Sequence, residues 1–540
     1  RLEGLPLAIE LATARVRLLP PPALLRRLDH RLALLTGGAL DRPERQRTMR
    51  ATIGWSYDLL STQERACFRR MGVFASGCTL EAAEAVIDPA GDLKVSLVDA
   101  AESLLTRNLL RRQEEPDGEP RLLMLETLRE YALERLTEHD ETDTTGRRHA
   151  AYFAALAEEA ATGMLGAEQL LWLDRLDRER GNLRTAMGTL VRLAQAGDRD
   201  AAEWGLRMTA ALWYYWWVRG PLREGRDWLL AFLDLPVASQ RTAARAKALS
   251  CAGFIAYRLG NQVTARRWLE DARTILQKEL HRPDAGFTLI GLAFVAEAEG
   301  EADEARAWYE EAIRALRETG DTWYLARALT HFGRLLCREG ELAEAWVQCE
   351  AGLRLHRQLG ERQGVALGLE CLAEIARDEG DYPRARALYE EALAIRRAMQ
   401  NRLVSASILS GLAETAFRQG DHRAARDAYA ESARLWQEMG QGYSIPLPLE
   451  GLAALAAANG QPGRALRLAG AASAARERLG ARPPRRSWPS QLEQWLAPAR
   501  SALSREAQIA AWAEGQAMGL EQAIDYALAG EAPAGQEPPT

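Results

Sequence analysis

Lysine is nearly missing from this chain of 540 residues: Lys94, Lys247 and Lys278 are the only three among 69 basic side chains, and the rest are arginine. That bias reads as the mark of a GC-rich genome, so a cluster of arginines carries little weight by itself. The net charge of −6 argues against a nucleic-acid binder as a whole. Cysteine is sparse too. Cys67, Cys78, Cys251, Cys337, Cys349 and Cys371 have no CxxC spacing, which sets aside the common zinc sites and reads as reduced structural thiols in a cytoplasmic protein. The seven histidines form no HExxH pattern, so no metal ligand is assigned. No apolar run reaches the roughly 20 residues of a membrane span; residues 208–218 come nearest, and no signal peptide is visible. No GxxxxGK[ST] occurs, nor any Gly-Lys pair. The loop that cradles phosphates and sets a lysine on them is therefore absent, and the chain is not expected to hydrolyse ATP alone. No nucleophile elbow or acid–base pair stands out, so no catalytic residue is assigned.

What is present is a ladder. Gly220, Gly260, Gly300, Gly340, Gly380, Gly420 and Gly460 stand forty residues apart. Five residues after the last six comes Ala265, Ala305, Ala345, Ala385, Ala425 or Ala465, with Gly225 in the earliest unit. Small residues recur seven later (Ala272, Ala312, Gly352, Ala392, Ser432, Ala472) and seven before the glycine (Gly253, Ala293, Gly333, Ala373, Ala413, Ala453). A fixed period identifies stacked units. Small residues let two backbones approach, so each unit reads as two antiparallel helices. The glycine ends the first helix in the left-handed conformation, and Asn261, Asp381 or Asp421 caps the second. Gly320-Asp321, Gly360-Glu361 and Gly440-Gln441 mark the breaks between units. Paired glutamates such as Glu310-Glu311 and Glu390-Glu391 follow the period and read as solvated faces.

This order of small residues resembles the tetratricopeptide repeat over about 205–484. The usual 34-residue period is here lengthened by six, and the closing proline of that repeat is absent. Longer repeats of this kind look like those of bacterial regulatory proteins.

The first 150 residues read differently. In Gly4-Leu5-Pro6-Leu7 the proline starts a helix whose apolar face is Leu7, Leu11, Ala14 and Leu18, and a second helix runs over 22–35 to Gly37-Gly38. Helices over 48–60, 62–71, 79–86 and 97–106 precede two apolar runs, 109–112 and 121–124, around a turn-rich segment, then a helix over 125–136. This is a winged-helix pattern. Gly4, Leu5, Pro6 and Leu7 match the GLPL motif of NB-ARC/STAND-type signal-transduction ATPases, in which the proline lies against adenine. The order of small helical module, winged helix and repeats fits the same family, and antibiotic-regulator and LuxR-type transcriptional regulators within it. Met124-Leu125-Glu126 aligns with the family's Met-His-Asp motif, where the histidine reads the diphosphate and favours the ADP-bound state. Leu125 replaces that histidine, and leucine donates no hydrogen bond to phosphate. The resemblance implies nucleotide contact by Gly4 to Leu7 and Glu126 only together with a nucleotide domain. Because the chain opens on Arg1 rather than methionine, it is expected to be a fragment with that domain upstream. No cofactor is assigned to it alone; ADP or ATP with Mg belongs to the parent protein.

The expected fold is all-α: a right-handed superhelix of about seven hairpins behind a winged helix with a small two-stranded wing. The expected boundaries are 1–40 for the helical module, 41–137 for the winged helix, 138–204 for a helical linker region with a polar start at 137–145, 205–484 for the repeats, 485–530 for capping helices (about 489–503 and 505–529) and 531–540 for a disordered tail. The segment Glu179-Arg180-Gly181-Asn182 resembles one that joins winged helix to repeats in such regulators. No helix-turn-helix follows the repeats.

The function implied is sensing and relay. The repeats bind a protein, a peptide or a small-molecule inducer and so bias a closed ADP state against an open ATP state of the parent, which requires tighter binding to the open state. Transferring the repeat's groove positions selects Tyr214, Trp217, Phe254, Tyr257, Phe294, Arg334, Arg338, Glu374, Arg377, Glu414 and Arg418. An aromatic end and a charged middle suit an extended ligand with an apolar anchor; core packing is the alternative for the run Trp213 to Trp217. The parent reaches DNA only through a domain outside this chain, has no membrane partner and oligomerises on activation. A plain scaffold without nucleotide control is the second reading. A third places phosphate contacts at Arg42, Arg45, Arg47, Arg50, Arg65, Arg69 and Arg70.

Overall fold

The computed structural model describes residues 4–16, 19–27, 31–36, 48–89, 91, 93, 95–115, 118–277, 283–399, 402–438, 445–479 and 487–529. Among the described residues the fold is all-α apart from one two-stranded sheet. It divides into two compact units, Arg1–Thr162 with Leu171–Ile255, and Gly163–Leu170 with Ala256–Thr540. No helix among the described residues is long and apolar enough to cross a membrane.

In the first unit, Gly4 turns the chain at φ +72° and Pro6 opens the helix Pro6–Arg15. Its buried face is Ala8, Leu11 and Ala12, not the expected line through Leu7 and Ala14; Ala14 is exposed. The tail of this helix is fixed by Arg15, which donates to the Thr36 hydroxyl at 2.7 Å. Local capping then sets the winged helix. Thr48 caps Met49–Asp58, a Ser61/Glu64 capping box starts Thr62–Met71, and Thr79 caps Leu80–Ile87. Leu97–Thr106 follows, then antiparallel strands Arg111–Glu114 and Pro120–Leu123 in the register Arg111↔Leu123, Glu114↔Pro120. The first strand begins two residues later than its apolar run predicts. The Leu109 and Leu110 N–H groups both donate to the Leu104 carbonyl, so these residues close the preceding helix. Helix Glu126–Glu138 packs Tyr131 against Tyr57 and Phe68.

The expected polar linker at 137–145 is only a three-residue corner. Asp140 takes φ +58°, and helix Thr142–Gly163 starts at once. Glu141 is held by Arg69 at 2.6 Å and by Arg70 at 3.0 Å. Charge in this segment marks an ion pair rather than a solvated tether. Helices Gln169–Gln195, Arg199–Ala211, Trp213–Arg219, Leu222–Leu233 and Ala243–Arg258 follow.

The second unit repeats one hairpin: Pro283–Glu299 with Ala302–Thr319, Thr322–Glu339 with Leu342–Leu359, Arg362–Asp378 with Tyr382–Ala398, Arg402–Arg418 with His422–Glu438, and Pro446–Ala458 with Pro462–Leu479. All seven ladder glycines take left-handed φ, from +71° at Gly460 to +94° at Gly220. From Gly260 onward the residue after the glycine donates its N–H five residues back, as Glu341 does to Leu336 at 2.9 Å, closing a Schellman turn; Pro221, after Gly220, has no N–H to donate. Asn261, Asp381 and Asp421 cap the following helices as their chemistry suggests, whereas the glutamates at Glu301 and Glu341 do not. The small positions are contact points: a Cβ on Gly333 would lie 2.9 Å from the Ala345 carbonyl oxygen and overlap Cys349 Sγ. Past the repeats come Trp488–Ser501, Arg505–Ala517 and Leu520–Leu528. The second expected capping helix is thus two, parted where Met518 and Gly519 run extended. Their Leu496, Ala499 and Ile524 join Leu452, Leu455 and Leu468 in one apolar cluster. The expected break at Pro483-Pro484 and the tail 531–540 lie outside the described residues.

Candidate ligand groove and relay contacts

Helix geometry returns the same face of each first helix every forty residues, so positions one period apart form columns. In the second unit these columns hold charged side chains at the middle of the stack. Arg338, Glu374, Arg377 and Glu414 line one cavity of about 140 Å³, with Glu370, Asp378, Ser407, Ser410 and Leu447 beside them. Four of the expected groove residues therefore converge. Most of the charge is internally matched. Arg377 lies 3.3 Å from Glu414 and 3.1 Å from Asp378, and donates to the Tyr389 hydroxyl at 3.1 Å. Arg418 donates to Glu414 at 2.7 Å, and Arg338 pairs with Glu297 at 3.0 Å. Arg334 lies against His331 at 3.1 Å, and His331 meets the Phe294 ring edge-on. Tyr257 packs on Phe294.

Glu370 and Glu374 are different. Among the described residues no hydrogen bond or ion pair reaches either carboxylate. Burial, with Glu374 one turn away, pushes the Glu370 carboxyl up to about 7 despite the field of Arg396, Arg334 and Arg338.

In the first unit, Trp217 packs edge-on against Trp213 and Phe254 and is half-buried. Tyr214 and Phe254 are each 1% exposed; a ligand finds no surface on them, and they fill the core. Phe294 of the second unit is likewise buried. The phosphate-contact reading fares no better at the residues described. Arg50 pairs with Glu134, Arg69 and Arg70 with Glu141, and Arg65 donates to the Tyr57 and Asp58 carbonyls. Arg42, Arg45 and Arg47 lie outside the described residues.

Glu126 is also engaged. It pairs with Arg129 at 2.7 Å and Arg31 at 3.6 Å. Burial works to raise its carboxyl, but these arginines outweigh that and hold it below the usual range. The Leu32 N–H donates to Glu130 at 3.3 Å, so the helical module is tied to the helix that opens at Glu126. Leu125 is half-buried at the start of that helix and bonds nothing through its side chain. Glu126 is thus already engaged by arginines, and the Leu125 side chain offers no polar group.

Composition gave no hint of two further features. One is a buried clamp on the wing. Arg121 pairs with Glu179 at 2.6 Å and donates to the Ser76 and Gly77 carbonyls, while Asn182 accepts from the Ala75 N–H at 2.8 Å and donates to Gly77 at 2.8 Å. A Cβ on Gly181 would overlap the Ser76 side chain. The motif Glu179-Arg180-Gly181-Asn182 thus has a physical reason: close approach at the glycine, and donors and acceptors matched on either side. The other is a larger cavity, about 540 Å³, lined by Trp346, Arg354, Leu369 and Arg384 among others, with the Arg384 guanidinium 3.9 Å over the Trp346 ring. The sequence did carry a signal for it. Trp346 stands in a column that holds Arg226, Arg266, Arg306, Arg386 and Arg426, with Leu466 in the last unit.

These observations define a protein of stacked tetratricopeptide-type hairpins with a charged central groove, joined in sequence to a winged helix. Comparisons agree at that level. Residues 244–318 and 364–438 match the tetratricopeptide repeat family, and residues 60–137 match the winged helix-turn-helix domain family. The chain is 35% identical over 253 residues to the "Putative HTH-type transcriptional regulator Rv0890c" of Mycobacterium tuberculosis, an alignment covering 46% of this chain and 28% of that one. It is 37% identical over 157 residues to an uncharacterized protein of the same organism, covering 28% of this chain and 38% of that one. The chain therefore spans well under half the length of these relatives. Among solved structures it is similar to a STAND protein with a tetratricopeptide repeat sensor from Pyrococcus horikoshii, at 13% identity and a TM-score of 0.46, over 93% of this chain and 74% of that one. It is also similar to a Rap protein complexed with competence and sporulation factor, at 13% identity and a TM-score of 0.42, over 68% of this chain and 99% of that one.

Proposed function

We propose that this chain is the sensing and relaying part of a transcriptional regulator, in which the repeats bind a protein or peptide ligand and the winged helix passes the bound state to a nucleotide-controlled switch elsewhere in the parent. The observation that carries the reading is the middle of the repeat groove. There, where arginines and acids are otherwise paired, Glu370 and Glu374 have no basic partner among the described residues. Leaving charge uncompensated in a half-buried site costs stability, and a partner that supplies the missing charge recovers it on binding. The clamp from Arg121 to Glu179 and Asn182 supports the relay role, because it fastens the wing to the helix Gln169–Gln195, past two intervening helices of the chain. By itself the chain is not an enzyme and takes no cofactor; ADP or ATP with Mg would act through the parent's nucleotide domain.

The full-length gene product distinguishes this reading from a scaffold. A repeat ligand should bind it with different affinity in ADP and in a non-hydrolysed ATP analogue, read by calorimetry. Equal affinity in the two nucleotides would remove the switch and leave the scaffold reading.

A further inference from the structure

The repeat period supplies an internal comparison for the central site. Glu450 stands two periods after Glu370, on the same face of its helix, and its hairpin partner Arg476 stands two periods after Arg396. At Glu450 the site is filled. Arg476 donates to the Glu450 carboxylate at 2.6 Å, and the Trp488 indole N–H donates to it at 2.8 Å from the inserted helix Trp488–Ser501. The same helix sets Trp495 against Phe417 and beneath the Arg418 guanidinium, which belong to the groove columns. The first helix past the repeats thus shows what this face accepts: a helical segment that brings an N–H donor to the carboxylate.

At Glu370 both donors are missing. Arg396 is turned to Gln363 instead, and no segment among the described residues donates to Glu370. Glu374 adds a second carboxylate where the last repeat has Ala454. The need here is therefore for positive charge as well as for a donor. The cavity, at about 140 Å³, is smaller than the roughly 300–1,000 Å³ that holds a drug-sized ligand and suits one inserted side chain.

We propose that Glu370 and Glu374 form the specificity point of the repeat groove and receive an arginine or lysine side chain from a peptide segment of a partner protein. The proposal rests on the peptide-binding reading above and narrows it. Its test is selection of random 15-residue peptides displayed on phage against the full chain, followed by affinity measurement with synthetic copies of those selected. The expected result is peptides carrying at least one basic residue, whose binding weakens tenfold or more in the double variant Glu370→Gln/Glu374→Gln and as salt rises. That variant keeps side-chain volume, and an unchanged circular dichroism spectrum confirms its fold. Selected peptides without a basic residue, or affinities within twofold in the double variant, would overturn the proposal and leave peptide binding by the groove intact. Failure to select any peptide would overturn both.

Discussion

A single carboxyl shows how much one residue decides. Glu370 is held up to about 7, first by burial and then by Glu374 on its own helix, against Arg396, Arg334 and Arg338 from neighbouring helices. Its ordinary value is 4.5, so between these two limits the folded chain binds more protons than the unfolded one. Stability therefore falls as pH rises from about 4.5 to about 7 and stays low above that. Glu370→Gln removes the penalty. Denaturant titrations should find this variant more stable than the parent by about 2 kcal/mol at pH 8, after discount for partial exposure, and equal to it near pH 4.5. Equal stability at both pH values would refute the strained carboxyl. Glu374 was legible from its column in the repeat, but Glu370 was not. Its column reads Ile290, Thr330, Glu370, Ser410, Glu450, and only packing tells that such a mixture lines a cavity.

At the scale of the helix, two kinds of glycine do different work. Gly340 ends a helix at φ +92° with open space where a Cβ would stand, while Gly333, inside the same helix, is pressed on Cys349 and Ala345. Gly340→Ala should cost about 1–2 kcal/mol through backbone strain. Gly333→Ala should cost about 1–3 kcal/mol through overpacking, which forces adjacent helices apart. Thermal melts check the magnitudes, and amide exchange separates the causes: loss of protection confined to the turn at Gly340, but spread over both helices of the hairpin at Gly333. The forty-residue ladder made these hairpins legible, because glycine and alanine columns report close backbone approach directly. The wing was less so. Apolar residues Leu109 and Leu110 look like strand yet close a helix, since alternation over so short a run does not separate the two.

For the whole molecule, the end of the stack decides whether the last repeat survives. Leu496, Ala499 and Ile524 cover the apolar face of the final hairpin, and Trp488 satisfies Glu450. A chain stopped after Leu479 exposes that face and leaves Glu450 with Arg476 alone from this set. Each repeat of a solenoid is stabilised by its interfaces with neighbours, so the last one depends on its cap. Circular dichroism of the truncated chain should show helix lost from residues 446–479 as well as from the removed segment, with a lower melting temperature; a loss equal to the removed helices alone would show the cap to be dispensable.

The sequence by itself determined the period, the helical hairpins, the left-handed turns and the order of winged helix before repeats, because each follows from local sterics or from a spacing that recurs many times. It also placed Arg338, Glu374, Arg377 and Glu414 on one face. Tertiary structure alone decided which charges are matched. Arg69 and Arg70 meet Glu141, Arg121 meets Glu179, and among the described residues Glu370 meets no base. Ion pairing depends on distances of a few ångströms between residues far apart in sequence, 72 positions for Arg69 and Glu141, and no one-dimensional pattern carries that information.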